Sequence, residues 1–379
     1  MHFTVLTAVQ LPQDIPAAVN AIPIADVANF ASIKLLLRNL GEEKKLVLPE
    51  ATPALIHAER WECLVDNYVA CLLARYDENT TVTSFMEFDD QTEEGHKAYM
   101  QDGVDCVRTP DGRIITSSNY EFCRRYDLYE GRVYRHDYGP LHHRKLTPKA
   151  KKYRGLPNYP FRKLYSTFDA FMTEYWGCEK EEETGRYGFY SNPNGQWDWW
   201  QIGGRWPFRF LVRDDCDTAV TGEISGLFPD TPQCNAPEGY RWVAGARKAD
   251  IAWDVMREFL RSQCTKRFRQ YEEWFNTGII PEEHAGRIKL TSDGVMSWGD
   301  CLYHKGDELE HYLCSLGLSD QHPYPINTFA YVDADGWSDK GWGAPRSDEE
   351  ACQAWYKETA DFIARQPDDT LFVSVDCHT

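Results

Sequence analysis

Alternating apolar and polar positions indicate short strands close to both ends of the sequence. Residues 3–9 and 371–375 are rich in apolar and β-branched side chains, which favour strands. Chain ends stay ordered only when they are tied into a larger structure. We therefore expect these two strands to be neighbours in one sheet, an arrangement that places His2 near His378.

Apolar residues recur at helical spacing in several segments between these strands. The pattern predicts helices over residues 26–40, 53–76, 161–176, 250–275 and 347–365. The helix over 250–275 has the strongest apolar stripe, and Gly278 is placed to end it. Ser347 and Glu350 form a capping box at the start of the last helix.

Turn residues between apolar runs predict two hairpins and a further turn. The hairpins centre on Asp111-Gly112 and Glu130-Gly131, and a strand over 329–337 runs into Asp335-Gly336. Terminal strands with hairpins and helices between them favour an α+β fold, in which helices pack on a mainly antiparallel sheet that contains both terminal strands. Residues 1–379 are expected to form one globular unit, and 9–70 a helical insertion within it.

Composition restricts the classes of function. A hydrophobic content of 42% is typical of a globular protein, and the net charge of −18 disfavours duplex nucleic acid as a partner. The basic segments 142–154 and 257–269 are interpreted as a solvated loop and a helix face, with a binding patch as the alternative. No apolar run of membrane-spanning length and no leader sequence is evident, which favours a cytoplasmic protein without membrane contact.

Cysteine usage points away from a structural metal. The twelve cysteines are spread along the chain, and none forms a CxxC pair. Free thiols in a reducing compartment are the simplest interpretation, and a zinc site built from cysteine is not expected.

The most unusual segment is residues 187–206, which reads YGFYSNPNGQWDWWQIGGRW. Four tryptophans surround Asp198, and two glycines precede Arg205. Strand alternation would place Trp197, Trp199 and Gln201 on one face, and Asp198, Trp200 and Ile202 on the other. One interpretation is a core corner with a structural pair between Asp198 and Arg205. The other is a binding site, since indole rings stack on nucleobases and a guanidinium forks onto phosphate.

The binding interpretation names a set of candidate ligand-binding residues. They include a polar turn after the second predicted helix, which is equally consistent with a helix stop and surface acids. The candidates are Asp77, Glu78, Asn79, Asn192, Asn194, Trp197, Asp198, Trp199, Gly203, Gly204, Arg205, Trp206 and Lys340.

The same segment resembles an uncharacterised family found in phages, prophages and related bacterial genomes, whose hallmark is the signature NPNAKWDWY…GGRW. The resemblance extends in order over most of the chain, through HFTV at residues 2–5, LARYDEN at 73–79, FMEFDDQTEE at 85–94, ARKADI at 246–251 and VDCH at 375–378. It departs at Gln196, where a lysine is usual, at Pro207, and at 340–343, a shortened segment that contains Lys340. The resemblance implies a phage or mobile-element setting in the cytoplasm of a bacterial host, and no reaction.

Acid–base or metal chemistry is predicted where the chain ends meet. His2 and His378, with Asp376 two residues before the latter, could exchange protons or ligate a divalent metal. His2 and Thr4 also fit one motif of the two-histidine phosphoesterases, in which the histidine moves protons and the threonine holds phosphate. A second copy is missing, since only Thr379 follows His378. A structural role for the two histidines is the alternative interpretation.

Three hypotheses about function therefore remain open. The first is an accessory protein that binds a small nucleotide-like ligand or a host defence protein, with an anti-defence role. The second is a phosphoesterase or nucleotide-processing hydrolase that uses His2, Thr4, Asp376 and His378. The third is an interaction protein without a small ligand. No cofactor is indicated.

Overall fold

A computed structural model describes residues 1–23, 26, 53–101, 106–108, 112–116, 119–120, 126–129, 132–135, 158–224, 236–297, 300–319, 322–342 and 349–379. The chain divides into two compact units, one made of Met1–Glu78 with Asn194–Thr379 and the other of Asn79–Pro193. Compact units within one chain can fold together or separately, so the single globular unit stays a prediction.

Strands are numbered in chain order over the described residues. They are β1 His2–Val9, β2 Glu87–Asp90, β3 Cys106–Arg108, β4 Ile114–Thr116, β5 Tyr126–Tyr129, β6 Arg132–Arg135, β7 Asn158–Tyr159, β8 Glu179–Lys180, β9 Tyr187–Ser191, β10 Trp199–Gly204, β11 Phe210–Arg213, β12 Glu223–Ile224, β13 Tyr240–Val243, β14 Gly245–Arg247, β15 Ile288–Leu290, β16 Gly294–Ser297, β17 Asp300–His304, β18 Ala330–Asp333, β19 Gly336–Asp339 and β20 Leu371–His378.

The α-helices are numbered in the same way. They are α1 Ile15–Ala21, α2 Pro53–Leu73, α3 Thr92–Met100, α4 Phe168–Ala170, α5 Trp253–Thr277, α6 Leu309–Ser315 and α7 Glu349–Arg365. A π-turn over Phe171–Tyr175 continues α4.

A mixed, mainly antiparallel sheet forms the centre of the first unit, with strand order β12-β10-β20-β1-β18-β19. The C-terminal strand β20 lies antiparallel to β1 along its whole length, from His2 opposite His378 to Val9 opposite Leu371. On its other side β20 pairs first with β14 and then with β10. The predicted α+β fold, with both terminal strands in one sheet, is confirmed.

Alternation along the terminal strands divides the core between the two faces of this sheet. Phe3, Val5 and Val375 point toward α2, whose buried residues include Trp61, Val65 and Leu73. Leu6, Ala8 and Phe372 point to the opposite face, where α5 and α7 contribute Met256, Trp355 and Phe362. The central strands are therefore covered on both sides, which explains why they read as apolar runs.

The predicted helical insertion is represented by α1 and α2, whose apolar residues join the core on the Phe3 face. Most of the helix predicted over 26–40 lies outside the described residues, as does Ser347 of the capping box. The helix predicted over 250–275 is confirmed as α5, and Gly278 ends it with a left-handed φ of 70°. The second half of α5 packs with β15, β16 and β17 in a smaller cluster.

The second unit contains small antiparallel sheets and a separate aromatic core. Its strands pair in the orders β2-β9-β8 and β4-β3-β7, and β5 pairs with β6. Both predicted hairpins are confirmed by the β3–β4 and β5–β6 pairs. The single helix predicted over 161–176 is wrong, because Thr167 caps a new helix by accepting a hydrogen bond from the Ala170 N–H. The core residues are Phe161, Phe171, Met172, Cys178 and Tyr187.

Two further expectations concern membranes and cysteines. None of the helices in the described part of the chain is long and apolar enough to cross a membrane. Every cysteine in that part is a free thiol, which agrees with the expectation from the sequence.

Candidate acid–base site at the paired strand ends

Strand register brings both terminal histidines into one row across the sheet. His2 on β1 lies opposite His378 on β20, which in turn lies opposite Trp199 on β10. Residues directly opposite each other on neighbouring antiparallel strands have their side chains on the same face. The row two residues further along the strands contains Thr4, Asp376 and Gln201. Because residues two apart on a strand point to the same side, the polar residues of both rows lie on the face of the sheet that carries Leu6.

The first imidazole of this row is paired with a buried carboxylate. His2 Nδ1 lies 2.8 Å from Asp376 Oδ1, and the Arg205 backbone N–H donates to Oδ2 of the same carboxylate at 3.0 Å. Asp376 is fully buried, whereas the His2 side chain is 23% exposed. Burial raises the pKa of Asp376, while the contacts with His2 and Arg205 oppose that rise.

The second imidazole has a carboxylate partner of its own. His378 Nδ1 lies 2.7 Å from Asp198 Oδ1, and the Asp198 backbone N–H donates to the His378 carbonyl at 2.9 Å. Both side chains of this pair reach solvent, with 39% of His378 and 31% of Asp198 exposed. The two pairs therefore differ in environment, since one has a buried acid and the other a half-exposed one.

The two imidazole rings are in contact, with centroids 4.9 Å apart at an angle of 66°. An ionised carboxylate only accepts hydrogen bonds, so the ring nitrogen that faces it carries the proton. This places a proton on Nδ1 of both His2 and His378 and leaves Nε2 of each ring to exchange protons with a substrate. Two imidazoles held in one tautomer beside each other are suited to general acid–base catalysis.

Gly204 is required where β10 approaches Asp376. Its φ is +56°, and a Cβ added there would lie 2.5 Å from Asp376 Oδ2. A side chain at this position would therefore displace the carboxylate that holds His2. The glycine pair predicted to permit a close backbone approach does so at Asp376, and it delivers the N–H of Arg205 to that carboxylate.

Asp198 is held in place through its own backbone segment. The Gln196 N–H donates to the Tyr76 carbonyl at 2.7 Å, and the Glu78 N–H donates to the Trp197 carbonyl at 2.9 Å. Residues 196–198 thus lie between the Tyr76–Glu78 stretch and the end of β20. The backbone of the predicted polar turn therefore supports the site, although no side-chain contact joins Asp77 or Glu78 to either imidazole among the described contacts.

Thr4 lies next to the site, and its hydroxyl contacts neighbouring residues of the protein. Its side chain is buried, and its hydroxyl lies 3.3 Å from Thr328 Oγ1 and accepts a hydrogen bond from the Phe329 N–H at 3.2 Å. The role of this hydroxyl in holding a phosphate stays a prediction.

The tryptophans of the motif occupy different environments. Trp197 is buried in the core, and its indole N–H donates to the Leu73 carbonyl at 3.2 Å. Trp200 packs against the same core, with its ring centroid 6.5 Å from that of Trp197. Trp199 is half-buried and lies in an edge-to-face arrangement with His2, at a centroid distance of 5.8 Å. The alternation predicted for Trp199 and Trp200 is thus correct, whereas Trp197 precedes the strand and belongs to the core.

Asp198 is paired, as the sequence predicted, but its partner differs from the expected one. The pair between Asp198 and Arg205 is replaced by one between Asp198 and His378, because the Asp198 segment lies along the end of β20. Arg205 instead lies near Asp376, where its positive charge helps to lower the pKa of that carboxyl. No local signal in the sequence could reveal that Asp198 meets His378, since the two residues are 180 positions apart.

The remaining candidates lie elsewhere or act through their backbone. Gly203 pairs with Glu223 on β12 and accepts a hydrogen bond from the Trp206 N–H. Lys340 lies over the ring of Phe329 with the aromatic group around Phe3, on the face opposite the imidazoles. Asn194 is an exposed residue of the segment 187–206, and Asn79 and Asn192 belong to the second unit.

Metal and anion binding were two further expectations. Within the described residues no group of three His, Cys, Asp or Glu side chains is arranged to hold a metal ion. His2 and His378 each use Nδ1 for a carboxylate, which leaves Nε2 of each ring for proton transfer or for a ligand. On the basic face of α5, Arg257, Arg261 and Arg269 pair with neighbouring acids, which reduces its attraction for anions. The basic segment 142–154 lies outside the described residues.

Comparisons with known proteins identify no relative. No family model matches the chain, and neither a curated protein nor a solved structure matches it.

Proposed function

We propose that this protein is a hydrolase that cleaves a phosphoester by general acid–base catalysis, with His2 and His378 as the proton carriers. The observation that carries the proposal is the contact between two imidazoles that are each oriented by a separate carboxylate. Two ready proton carriers side by side suit a reaction that takes up one proton and releases another.

The proposed step conserves atoms and charge. Neutral Nε2 of one histidine takes a proton from water as the water oxygen bonds to phosphorus. The bond between phosphorus and the leaving oxygen breaks, and Nε2–H of the other, protonated histidine supplies the proton for that oxygen. The products are an alcohol and a phosphate that has gained one hydroxyl, and the two histidines have exchanged protonation states.

Arg205 offers an anionic substrate a positive charge in spite of the acidic composition. Both carboxylates at the site are already paired with imidazoles, and Arg205 adds a positive charge beside Asp376. Phosphoryl oxygens are bound well by a guanidinium, which offers a planar fork of donors. In the proposed reaction Asp376 and Asp198 orient the imidazoles, and Arg205 neutralises the phosphate.

The setting of this activity is proposed from the family resemblance. A phage or mobile-element protein that hydrolyses a nucleotide-like ligand inside a bacterial host would suit an anti-defence role. A binding protein for the same ligand is the second candidate, favoured by Trp199, whose half-buried ring adjoins the imidazoles. Binding alone does not require oriented histidines, so turnover separates the two candidates.

Hydrolysis of bis(p-nitrophenyl) phosphate by the purified chain tests the proposal. We expect steady release of p-nitrophenolate and a loss on the order of 100-fold or more in His2→Ala or His378→Ala, for whichever residue is the base. His304→Ala is the matched control, because His304 is exposed and belongs to the separate β15–β17 sheet. Turnover that survives in both single variants, or no turnover by the native chain, would overturn the proposal.

A further inference from the structure

We infer that Trp199 is a stacking platform for a nucleobase of the substrate, which makes the substrate class a nucleotide ester rather than a simple phosphoester. This inference rests on the proposed function and specifies the substrate of the same site. It assigns a specificity-determining role to one tryptophan of the motif and leaves the others to the fold.

The core already accounts for two neighbouring tryptophans. Trp197 and Trp200 pack in the cluster under α2, and the indole N–H of Trp197 is satisfied by a backbone carbonyl. Trp199 belongs to neither of the two apolar clusters that cover the faces of the central sheet. A large aromatic ring that is half-buried without joining a core has apolar surface left for another planar group.

The position of Trp199 matches that of a base beside a reacting phosphate. Its residue lies directly opposite His378, and its ring lies 5.8 Å from the His2 ring. A centroid distance of 5.8 Å at an angle of 75° is an edge-to-face contact, so the platform directly borders the imidazoles. A nucleotide could place its base on Trp199 and its phosphate next to both Nε2 atoms without further contacts.

Arg205 provides the second contact that this class of substrate needs. Its Nε is buried and has no hydrogen-bond partner among the residues that the structure describes. Buried donors are normally satisfied, so an unsatisfied guanidinium nitrogen beside Asp376 indicates a missing acceptor. A phosphate oxygen is such an acceptor.

Isothermal titration with two probes that differ only in the base tests the inference. The probes are adenosine monophosphate and the ribose phosphate that carries no base. Stacking of one base contributes about 1–3 kcal/mol, so adenosine monophosphate should bind about 5- to 150-fold more tightly to the native chain. In Trp199→Ala that preference should disappear while the affinity for ribose phosphate stays unchanged, and Trp199→Phe should keep part of it.

Controls separate this inference from the proposed reaction. Trp342→Ala is the matched control, because Trp342 is 51% exposed and packs on Phe329, away from the imidazoles. His2→Ala should keep the base preference whatever its effect on turnover. The inference is overturned if the native chain binds both probes equally or binds neither, or if Trp199→Ala lowers kcat without changing the preference. If the native chain keeps the base preference but hydrolyses nothing, the proposed reaction is contradicted, whereas the stacking role of Trp199 is supported.

Discussion

The imidazole of His378 shares a hydrogen bond of 2.7 Å with the carboxylate of Asp198, a residue 180 positions earlier in the chain. The same two residues are joined again through the backbone, where the Asp198 N–H donates to the His378 carbonyl. This double connection fixes both the position and the tautomer of His378. Asp198, the acid at the centre of the tryptophan motif, therefore belongs to the same site as the histidines of the paired terminal strands. The tryptophan motif and the terminal histidines, both singled out in the sequence, form a single site.

Asp376→Asn should separate catalysis from stability. Arg205 and His2 both donate to Asp376, and an asparagine has only one acceptor oxygen for them. Its amide N–H₂ would turn His2 to the other tautomer, with the proton on Nε2, which can no longer act as a base. If His2 is the base, we expect kcat to fall on the order of 10⁴-fold, as when the orienting aspartate of a serine protease is replaced by asparagine. The melting temperature, measured by circular dichroism, should change by only a few degrees.

Asp198→Asn should have a smaller effect on activity and almost none on stability. This carboxylate is 31% exposed, and exposed ion pairs contribute about 0–1 kcal/mol. We expect kcat to fall by about 10- to 100-fold, since water can partly replace the lost partner of His378. Steady-state kinetics and thermal melts of the same preparations provide the check. A large drop in melting temperature would show that the pair is structural.

Gly204→Ala should disrupt the site through steric conflict. The new methyl group would collide with the Asp376 carboxylate, in addition to the strain of a positive φ. Gly278→Ala is the matched control, because Gly278 also has a positive φ of 70° but has no atoms near its would-be Cβ. We expect Gly278→Ala to cost about 1 kcal/mol and to leave kcat unchanged. Gly204→Ala should destabilise more and lose activity, and equal effects of the two changes would refute the packing argument.

Stability should depend on pH through Asp376. Its pKa is raised by burial, so the folded state keeps this acid protonated to a higher pH than the unfolded chain does. The resulting stabilisation is complete below the ordinary pKa of aspartate, about 4, and is lost as the pH rises through the higher pKa of the folded state. The melting temperature of the native chain relative to Asp376→Asn should therefore decline with increasing pH over that window. A difference that grows with pH would contradict the assignment of burial as the dominant cause.

Local pattern predicted the two terminal strands of the central sheet. They were expected to be neighbours because their apolar and β-branched residues favour strands and chain ends stay ordered only when they are tied into a larger structure, and they pair along their whole length. The proximity of His2, Asp376 and His378 followed from that pairing. Caps and glycines likewise predicted where α5 ends.

The sequence could not predict contacts between side chains that lie far apart along the chain. Arg205 was the nearest opposite charge to Asp198 in sequence, and only the fold shows that β20 brings His378 closer. The broken helix over 161–176 was missed for a different reason, since its aromatic residues fit a helical period while Thr167 caps a new helix. Side-chain capping overrides periodicity when it satisfies a free N–H.

Rates of single and double histidine variants on two phosphodiesters test the central claim most directly. Bis(p-nitrophenyl) phosphate has a leaving group that needs no proton, whereas the dinucleoside phosphate of thymidine has an alkoxide that does. If His2 and His378 act as a base and an acid, one variant should be slow on both substrates and the other slow only on the dinucleoside phosphate. The double variant should be no slower on the dinucleoside phosphate than the slower single variant, because groups that act as a unit are not additive. Equal rates for the native chain and all three variants on both substrates would contradict the account.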